Sequence, residues 1–448
     1  MCGFLGVGGK SFYFRQNVAI NNAFKWLEHR GPDETKSKFV GEFFIGFHRL
    51  AVVGVNNAES SQPIYLKKKA AEMMFNGEIF NYRKIAKEKL SDLNDNFKSD
   101  SLVLAELLDR NNFNFLNDLD GMFSIALIFP KENKVTLIRD RYGIKPLFYS
   151  VVEGNIIFSS HIKPILEIKK NTKENNDVIY EYLNTGLYDH SEQTFFEGVL
   201  SVPPGHIIEF DLLTKSLKKR RWYEIQNFLK IKDRKNKKEL IEEVDFTIKE
   251  VINDYIPREV DFSVNVSGGV DSTLLVDNIN QLSRNNFLLQ NQDYIEPYSE
   301  RPWIAKYSEL LNVSPKYFLI TPEFIIKDLF STFEYQSQPY GGVTVSGYTP
   351  LYKHAKEKNC KVVLDGTGLD EAFLGYPRYG KNIKNIENNF WQKSLKGSSG
   401  PMDKKGIRPN AISEKLRKNM SPIKNFSYFL DANHNLNTAR NMSIQDLT

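Results

Sequence analysis

The sequence predicts an α+β chain of two domains, a strand-rich first half and a second half in which strands and helices alternate. At 448 residues the chain is too long for one hydrophobic core. In the first half, helical spacing is seen at 17–28 and at 101–108, with Ser99 or Asp100 as a natural N-cap. Many short strands with few helices predict sheets packed on each other and flanked by helices. The apolar runs that indicate these strands are 43–47, 73–75, 123–129 and 134–138.

The second half alternates strands with helices and carries two glycine-rich segments. An amphipathic helix is predicted over 238–255 and another helix over 273–279. Two short apolar strands, 262–266 and 361–364, each run directly into a glycine-rich segment. Alternation of this kind predicts a parallel sheet, in which ligands bind at the carboxyl ends of the strands. Both glycine-rich segments therefore fall where a ligand is expected.

Composition excludes several classes of protein. The chain has 41% hydrophobic residues, two cysteines and a net charge of +5. It has no apolar run long enough to span a bilayer and no signal-peptide pattern, so we expect a cytoplasmic protein without membrane contact. Two cysteines allow no disulfide framework. The basic stretch 215–238 is interpreted as a solvated linker between domains, with no nucleic-acid partner.

Cys2 is the most informative single residue. Methionine before a small residue is normally removed, so we expect a mature chain that begins with the thiol and free α-amine of Cys2. This pair is a nucleophile with its own base, because an α-amine titrates near pH ~8. Taken alone, Cys2 is more simply interpreted as a buried apolar residue that opens a strand.

The segment 267–272 (Ser-Gly-Gly-Val-Asp-Ser) predicts a phosphate cradle between strand and helix. Its glycines let backbone N–H groups approach an anion, and the helix N-terminus adds a positive dipole end. The segment resembles the pyrophosphate-binding loop of ATP pyrophosphatases; the simpler alternative is a glycine turn. Asp271 and Asp370 are candidate Mg²⁺ ligands, since carboxylate oxygens suit this hard cation. The pair Asp370 and Glu371 reads equally as the acidic start of a helix.

Five further segments follow Cys2 in an order that resembles the class II (N-terminal nucleophile) glutamine amidotransferase domain. Together with 267–272 and 365–371, they resemble the glutamine-hydrolysing asparagine synthetases over nearly the whole chain. The five segments are His29–Asp33, His48–Leu50, Asn76–Asn81, Asp120–Phe123 and Arg139–Leu147.

The resemblance implies a fold and a division of the chain. An αββα sandwich is expected over 2–212, followed by a linker over 213–237. An α/β ATP-pyrophosphatase domain is expected over 238–448, and it looks C-terminally incomplete. A homodimer is implied by the resemblance only.

The resemblance also implies roles for residues of the first half. Cys2 attacks the glutamine side-chain amide, while the Asn76 side chain and the Gly77 N–H form the oxyanion hole. Arg49 clamps the glutamine α-carboxylate and Asp100 pairs with its α-ammonium group. In isolation Arg49 reads as a surface charge, Asp100 as a helix cap and Asn76-Gly77 as a hairpin turn. The glutamine slot is implied to comprise Arg49, Leu50, Ala51, Val52, Val53, Asn76, Gly77, Glu78 and Asp100.

In the second half the resemblance implies ATP and Mg²⁺ as cofactors and a carboxylate acceptor, expected to be aspartate. The acceptor is activated as an acyl-adenylate and then aminated by ammonia from glutamine, so that asparagine, AMP and pyrophosphate are formed. The ATP-binding residues are expected to be Asn265, Val266, Ser267, Gly268, Gly269, Asp271, Ser272, Asp365 and Gly366.

Several positions depart from the family pattern. Asp365 stands where a serine is common, Thr367 where an acidic residue is common, and His161 where glutamate is usual. The segment 338–342 is also unusual, in a region expected to face the acceptor. Near the C-terminus no residue can be matched to the family's charge-stabilising lysine.

These departures keep two alternatives open. One is the same chemistry on another carboxylate, such as a sugar uronic acid in polysaccharide biosynthesis. The other is a non-catalytic relative that binds nucleotide or partners. The complete set of glutaminase residues argues against the second alternative.

Overall fold

The computed structural model describes residues 1–93, 97–186, 188–228, 236–282, 287–339 and 343–373. These residues fall into two compact units. The first unit holds the described residues of 1–178 and 189–230, and the second holds 179–188 and the described residues from 231 onward. The domain boundaries expected from the sequence stay a prediction.

Within its described residues, the first unit contains two six-stranded antiparallel sheets. The strands in chain order are β1 (Gly3–Gly8), β2 (Glu34–Val40), β3 (Phe43–Arg49), β4 (Ile64–Leu66), β5 (Ala71–Ile79), β6 (Gly121–Phe129), β7 (Lys134–Arg139), β8 (Phe148–Val152), β9 (Asn155–Ser159), β10 (Leu200–Ser201), β11 (His206–Asp211) and β12 (Ser216–Arg221). One sheet has the order β10-β8-β9-β1-β3-β2, and the other has the order β12-β11-β7-β6-β5-β4.

Helices are interspersed between these strands. The α-helices are α1 (Lys10–Trp26), α2 (Tyr82–Lys89), α3 (Asp100–Arg110), α4 (Ile162–Lys169) and α5 (Asn176–Thr185). Short 3₁₀ helices cover Leu27–Arg30, Ala58–Ser60, Phe113–Asp118 and Ile225–Phe228.

Three apolar cores define the layers of the first unit. In β1, Phe4 belongs to the core between the two sheets, whereas Leu5 packs with α1 and α4 on the opposite face. In β5, Met74 joins the core between the sheets, whereas Met73 packs with α2 and α3. Successive strand residues point to opposite faces, so the central strands of each sheet are covered on both sides. The result is the αββα sandwich that the sequence predicts.

Among the described residues of the second unit, four strands form a parallel sheet with order β15-β14-β13-β16. Its sheet joins a core around Phe262, Val264 and Ile279. The elements in chain order are α6 (Lys237–Tyr255), β13 (Phe262–Asn265), α7 (Val270–Leu282), β14 (Leu288–Tyr294), α8 (Arg301–Leu311), β15 (Lys316–Ile320), α9 (Pro322–Gln336), a 3₁₀ helix (Val343–Tyr348), α10 (Thr349–Glu357), β16 (Val362–Leu364) and α11 (Leu369–Phe373).

The predicted strands and helices are confirmed with shifted ends. Helix α1 begins at Lys10, seven residues before the periodic segment at 17–28, because its first turn buries Phe12 and Tyr13. Ser99 is the N-cap of α3, and its hydroxyl accepts the Leu102 N–H at 3.3 Å. Among the described residues, no helix is long and apolar enough to cross a membrane.

Candidate active sites

Cys2 lies directly before β1, at the end of the antiparallel pair that β1 forms with β3. Its Sγ lies 3.4 Å from the backbone N of Leu50, which follows β3. Its carbonyl oxygen accepts a hydrogen bond from Nε of Arg30 at 3.2 Å. The Leu50 N–H therefore holds the thiol, and Arg30 holds the backbone of the same residue, as the defined geometry of a nucleophile requires.

The electrostatics around Cys2 oppose each other. Burial raises the pKa of the thiol, while the α-ammonium of Met1, the backbone N–H of Leu50 and the guanidinium groups of Arg30 and Arg49 lower it. Burial also lowers the pKa of the Met1 α-amine to about 5.

Arg49 ends β3 and organises the loop that follows it. Its Nη2 donates to the carbonyl oxygens of Val53 at 3.3 Å and Gly54 at 2.8 Å. The Ala51 N–H donates to Oδ2 of Asp33 at 2.7 Å, which fixes the loop from the other side. The predicted slot residues Leu50, Ala51, Val52 and Val53 thus lie in one ordered loop beside Cys2.

Asn76 and Gly77 lie inside β5, where Asn76 faces Ser124 and Gly77 faces Phe123 of β6. The hairpin-turn alternative for this dipeptide is therefore wrong. Asn76 is 1% exposed, and its Nδ2 donates to Oγ of Ser124 at 3.4 Å. A Cβ added at Gly77 would lie 2.2 Å from the carbonyl oxygen of Met122, so only glycine fits.

Substituting Gly77 with alanine is expected to destabilise the first unit by about 2–4 kcal/mol, because the new methyl group collides with the backbone of β6. Urea unfolding measures the loss. Gly3→Ala is the matched control, since its Cβ would meet Leu27 at a milder 3.1 Å. Equal stability of Gly77→Ala and wild type would contradict the strand geometry.

Asp100, which is buried, and Glu78, which is half-buried, form an acidic pair beside the end of β5. Oδ2 of Asp100 accepts the N–H of Ile79 at 3.1 Å, and Oδ1 accepts that of Ser101 at 2.7 Å. Burial raises the pKa of Asp100 to about 6. Burial and repulsion from Asp100 raise that of Glu78 to about 7, against the attraction of Lys145. Two carboxyl groups this poorly compensated suit a bound cation.

The segment 139–147, whose residues have no role predicted from the sequence, forms a tight loop. Asp140 accepts the backbone N–H groups of Ile144 and Lys145, both at 2.9 Å, and Arg139 Nε donates to the Lys145 carbonyl at 3.0 Å. This loop holds the Lys145 ammonium, 9% exposed, within electrostatic range of Glu78 and Cys2. Burial lowers the pKa of Lys145.

In the second unit, 267–272 joins β13 to α7 as predicted. The Ser267 N–H donates to Oγ of Ser272 at 3.0 Å, and the Gly269 N–H donates to Oγ of Ser267 at 3.2 Å. The Ser272 hydroxyl also lies 3.0 Å from the Ser267 carbonyl. The serines therefore hold the loop in shape from within, and Ser272 is its central support.

The second glycine-rich segment packs directly on the first. A Cβ added at Gly366 would lie 2.9 Å from the backbone N of Ser272. Oδ2 of Asp365 accepts from Nδ2 of Asn265 at 3.0 Å, and its Oδ1 accepts the Thr367 N–H at 2.9 Å. The two departures at 365 and 367 thus support each other. The acidic side chains of Asp370 and Glu371, like residues 340–342 and the C-terminal tail, lie outside the described residues.

A cavity of about 400 Å³ opens at the carboxyl ends of these strands. It includes all the predicted ATP-binding residues except Gly268. It also includes residues that were not predicted from the sequence. Two of them carry buried polar atoms without a hydrogen-bond partner, Oδ1 of Asn291 and Nε2 of Gln292. The polar residues in the second part of β14 (Leu288–Tyr294) were the sequence pattern that could have indicated them. Those with polar side chains are Asn291, Gln292, Tyr294, Glu300, Tyr348 and Thr367, and the others are Val270, Leu351 and Gly368.

The described residues contain no group of three metal-ligating side chains. Asp271 and Asp365 line the cavity, and Mg²⁺ is commonly bound through one or two carboxylates together with substrate phosphates. The donor set therefore fits a cation that arrives with a nucleotide.

Sequence comparisons agree with both units. The glutamine amidotransferase domain family matches residues 1–223, and the asparagine synthase family matches residues 246–446. Fold and site define the class as a glutamine amidotransferase domain followed by an ATP-pyrophosphatase-type domain. The chain belongs to the asparagine synthetase-like glutamine amidotransferases.

Curated relatives are distant. Asparagine synthetase [glutamine-hydrolyzing] 2 of Bacillus subtilis is 28% identical, over 82% of this chain and 50% of its own length. Putative asparagine synthetase [glutamine-hydrolyzing] 2 of Methanocaldococcus jannaschii is 27% identical, over 84% and 76%. Amidase chyE of Penicillium rubens is 23% identical, over 83% and 57%. The chain thus spans half the length of the Bacillus relative.

Among solved structures, glutamine phosphoribosylpyrophosphate amidotransferase of B. subtilis covers 92% of this chain and 100% of its own, with 12% identity and a TM-score of 0.38. The match to glutamine-dependent NAD⁺ synthetase from Acinetobacter baumannii covers 68% of this chain and 69% of that structure, with 14% identity and a TM-score of 0.24. Scores this low support no inference, so the family rests on the sequence matches.

Proposed function

We propose that this chain is a glutamine-hydrolysing, ATP-dependent amidotransferase that makes asparagine from aspartate. The observation that carries the proposal is the presence in one chain of a fixed Cys2 thiol beside the Leu50 N–H and a phosphate loop at the end of a parallel strand. Each unit belongs to a family whose name states the corresponding half of this chemistry.

In the first unit, Cys2 attacks the glutamine amide once Met1 has been removed. Its own α-amine takes the thiol proton and passes it to the departing ammonia. The Asn76 side chain and the Gly77 N–H stabilise the oxyanion. Arg49 holds the α-carboxylate, and Asp100 with Glu78 holds the α-ammonium group. The slot is completed by the loop from Leu50 to Val53.

In the second unit, ATP lies in the cavity with its phosphates on the loop from Ser267 to Ser272. Asn265, Val266, Asp365 and Gly366 contact the nucleotide. Asp271 and Asp370 would hold Mg²⁺, which supplies charge neutralisation at the leaving pyrophosphate. Ammonia then attacks the acyl-adenylate, and an amide and AMP form.

The acidic pair of the first unit gives this proposal a pH dependence. The pKa is about 7 for Glu78 and about 6 for Asp100, so both carboxyl groups lose their charge as the pH falls from 8 to 5. A carboxylate binds an ammonium group and a carboxylic acid does not, so the KM for glutamine should rise by about tenfold or more over this range. Steady-state glutaminase assays at fixed ionic strength measure it.

The control for this pH dependence is Glu78→Gln, which keeps the size of the side chain and removes the titration near pH 7. Its KM should then rise only below about pH 6, where Asp100 takes up its proton. A KM that stays constant from pH 5 to pH 8 in the wild type would contradict the role of this pair.

The acceptor is tested by ATP-dependent release of pyrophosphate with aspartate and with sugar uronic acids in parallel. Turnover with aspartate supports the proposal. Turnover with a uronic acid alone supports the alternative raised by Asp365 and Thr367. Absence of both reactions, in protein whose mass shows that Met1 has been removed, would indicate a non-catalytic relative.

A further inference from the structure

A carboxylate occupies part of the loop that is proposed to bind phosphate. Glu300 is the N-cap residue of α8, but its side chain makes no capping hydrogen bond to that helix. Its Oε2 instead accepts the backbone N–H of Gly268 at 3.2 Å. Glu300 also lines the nucleotide cavity. The carboxylate of Glu300 therefore accepts from a backbone N–H of the loop that is proposed to bind the anionic phosphates.

Packing of α8 holds Glu300 against the loop. A Cβ added at Gly268 would lie 3.1 Å from Cβ of Trp303 and 3.3 Å from Cβ of Glu300. The Tyr307 hydroxyl lies 3.4 Å from the carbonyl oxygen of Ser267. Helix α8 and its N-cap residue thus contact the loop through Glu300, Trp303 and Tyr307. The packing of this helix therefore fixes the position of the Glu300 carboxylate.

The neighbouring loop donors are bonded to neutral groups. The Ser267 N–H donates to Oγ of Ser272, and the Gly269 N–H donates to Oγ of Ser267. Hydroxyl groups such as these brace a loop without adding charge. Gly268 differs, because its N–H is bonded to the carboxylate of an acidic side chain.

This arrangement sets up a conflict with the proposed ligand. The pyrophosphate part of ATP needs backbone N–H groups and is repelled by a carboxylate at the same place. We propose that Glu300 is a positioning residue. In the ligand-free protein its carboxylate holds the loop by accepting the Gly268 N–H, and the phosphates of ATP displace this carboxylate from Gly268. This inference rests on the proposed ATP site.

The displacement has a consequence for metal dependence. The negative charge of a metal-free phosphate is repelled by the Glu300 carboxylate without screening. A phosphate that carries Mg²⁺ brings positive charge toward the same carboxylate, which reduces the repulsion. Glu300 therefore disfavours metal-free ligand more than the Mg²⁺ complex. It sharpens the preference of the loop for the metal-bound form.

The test is calorimetric titration of the full-length protein with inorganic pyrophosphate, with and without Mg²⁺. Glu300→Gln keeps an acceptor oxygen for Gly268 and removes the charge. We expect it to bind metal-free pyrophosphate about five- to tenfold tighter than wild type, with a smaller gain at high salt or in Mg²⁺. Glu309→Gln, the same change at an exposed position of α8, should bind like wild type.

Two results would overturn this inference. Equal affinity of Glu300→Gln and wild type would show that the carboxylate does not compete with phosphate. Weaker binding both with and without Mg²⁺ would show that Glu300 only braces the loop, and Glu300→Ala, if its thermal unfolding matches wild type, should then be weaker still. If the wild type binds neither pyrophosphate nor ATP, the proposed ATP site is wrong, and this inference is wrong with it.

Discussion

Replacing Cys2 with alanine is expected to abolish glutamine hydrolysis, with a loss of at least about a thousandfold in kcat. The thiol is the nucleophile of the proposed reaction, and it lies 3.4 Å from the backbone N of Leu50. The other cysteine, Cys360, belongs to the second unit. Glutamate release from glutamine measures the loss.

The same variant separates the two chemistries. If ammonia is supplied directly, Cys2→Ala should keep its ATP-dependent activity, because Cys2 does not line the nucleotide cavity. Cys360→Ala is the matched control, since the second free cysteine lies between α10 and β16. Glutamine hydrolysis that survives in Cys2→Ala would contradict the assignment of the nucleophile.

Replacing Ser272 with alanine should have the opposite effect. The Ser272 hydroxyl accepts the Ser267 N–H and lies within hydrogen-bond distance of the carbonyl oxygens of Ser267 and Gly269. Its loss frees the loop, and a shift of about 1 Å in a positioned group can cost about a hundredfold in rate. We therefore expect ATP-dependent pyrophosphate release to fall by about a hundredfold while glutamine hydrolysis stays unchanged.

The control for this variant is the adjacent residue. Thr273→Ala removes a hydroxyl that donates to the carbonyl oxygen of Gly269 at 2.8 Å, within the first turn of α7. Its pyrophosphate release should stay within a few-fold of wild type. Equal losses in the two variants would show that Ser272 is not the support of the loop.

Periodicity and glycine position were sufficient to predict most of the fold. Continuous apolar runs predicted the strands of the first unit, since a strand between two packed layers buries both of its faces. The carboxyl-end rule for parallel sheets located the two glycine-rich segments, and they pack on each other at Gly366 and Ser272.

The supporting residues could not be predicted in the same way. Lys145, Asn291 and Glu300 reach their sites through loop closure and helix packing, which sequence spacing does not encode. Glu300 in particular begins a helix and reads as its cap, yet its carboxylate bonds to Gly268 instead. The register of Asn76-Gly77 inside β5 likewise depends on pairing with β6.

The most direct test of the central claim follows the amide nitrogen. Protein whose mass shows removal of Met1 is incubated with ¹⁵N-amide glutamine, ATP, Mg²⁺ and aspartate. We predict equal amounts of ¹⁵N-asparagine and pyrophosphate, with at least as much glutamate. Pyrophosphate release without ¹⁵N in any amide product, or no glutamate at all, would contradict the claim that this chain transfers nitrogen from glutamine to an ATP-activated carboxylate.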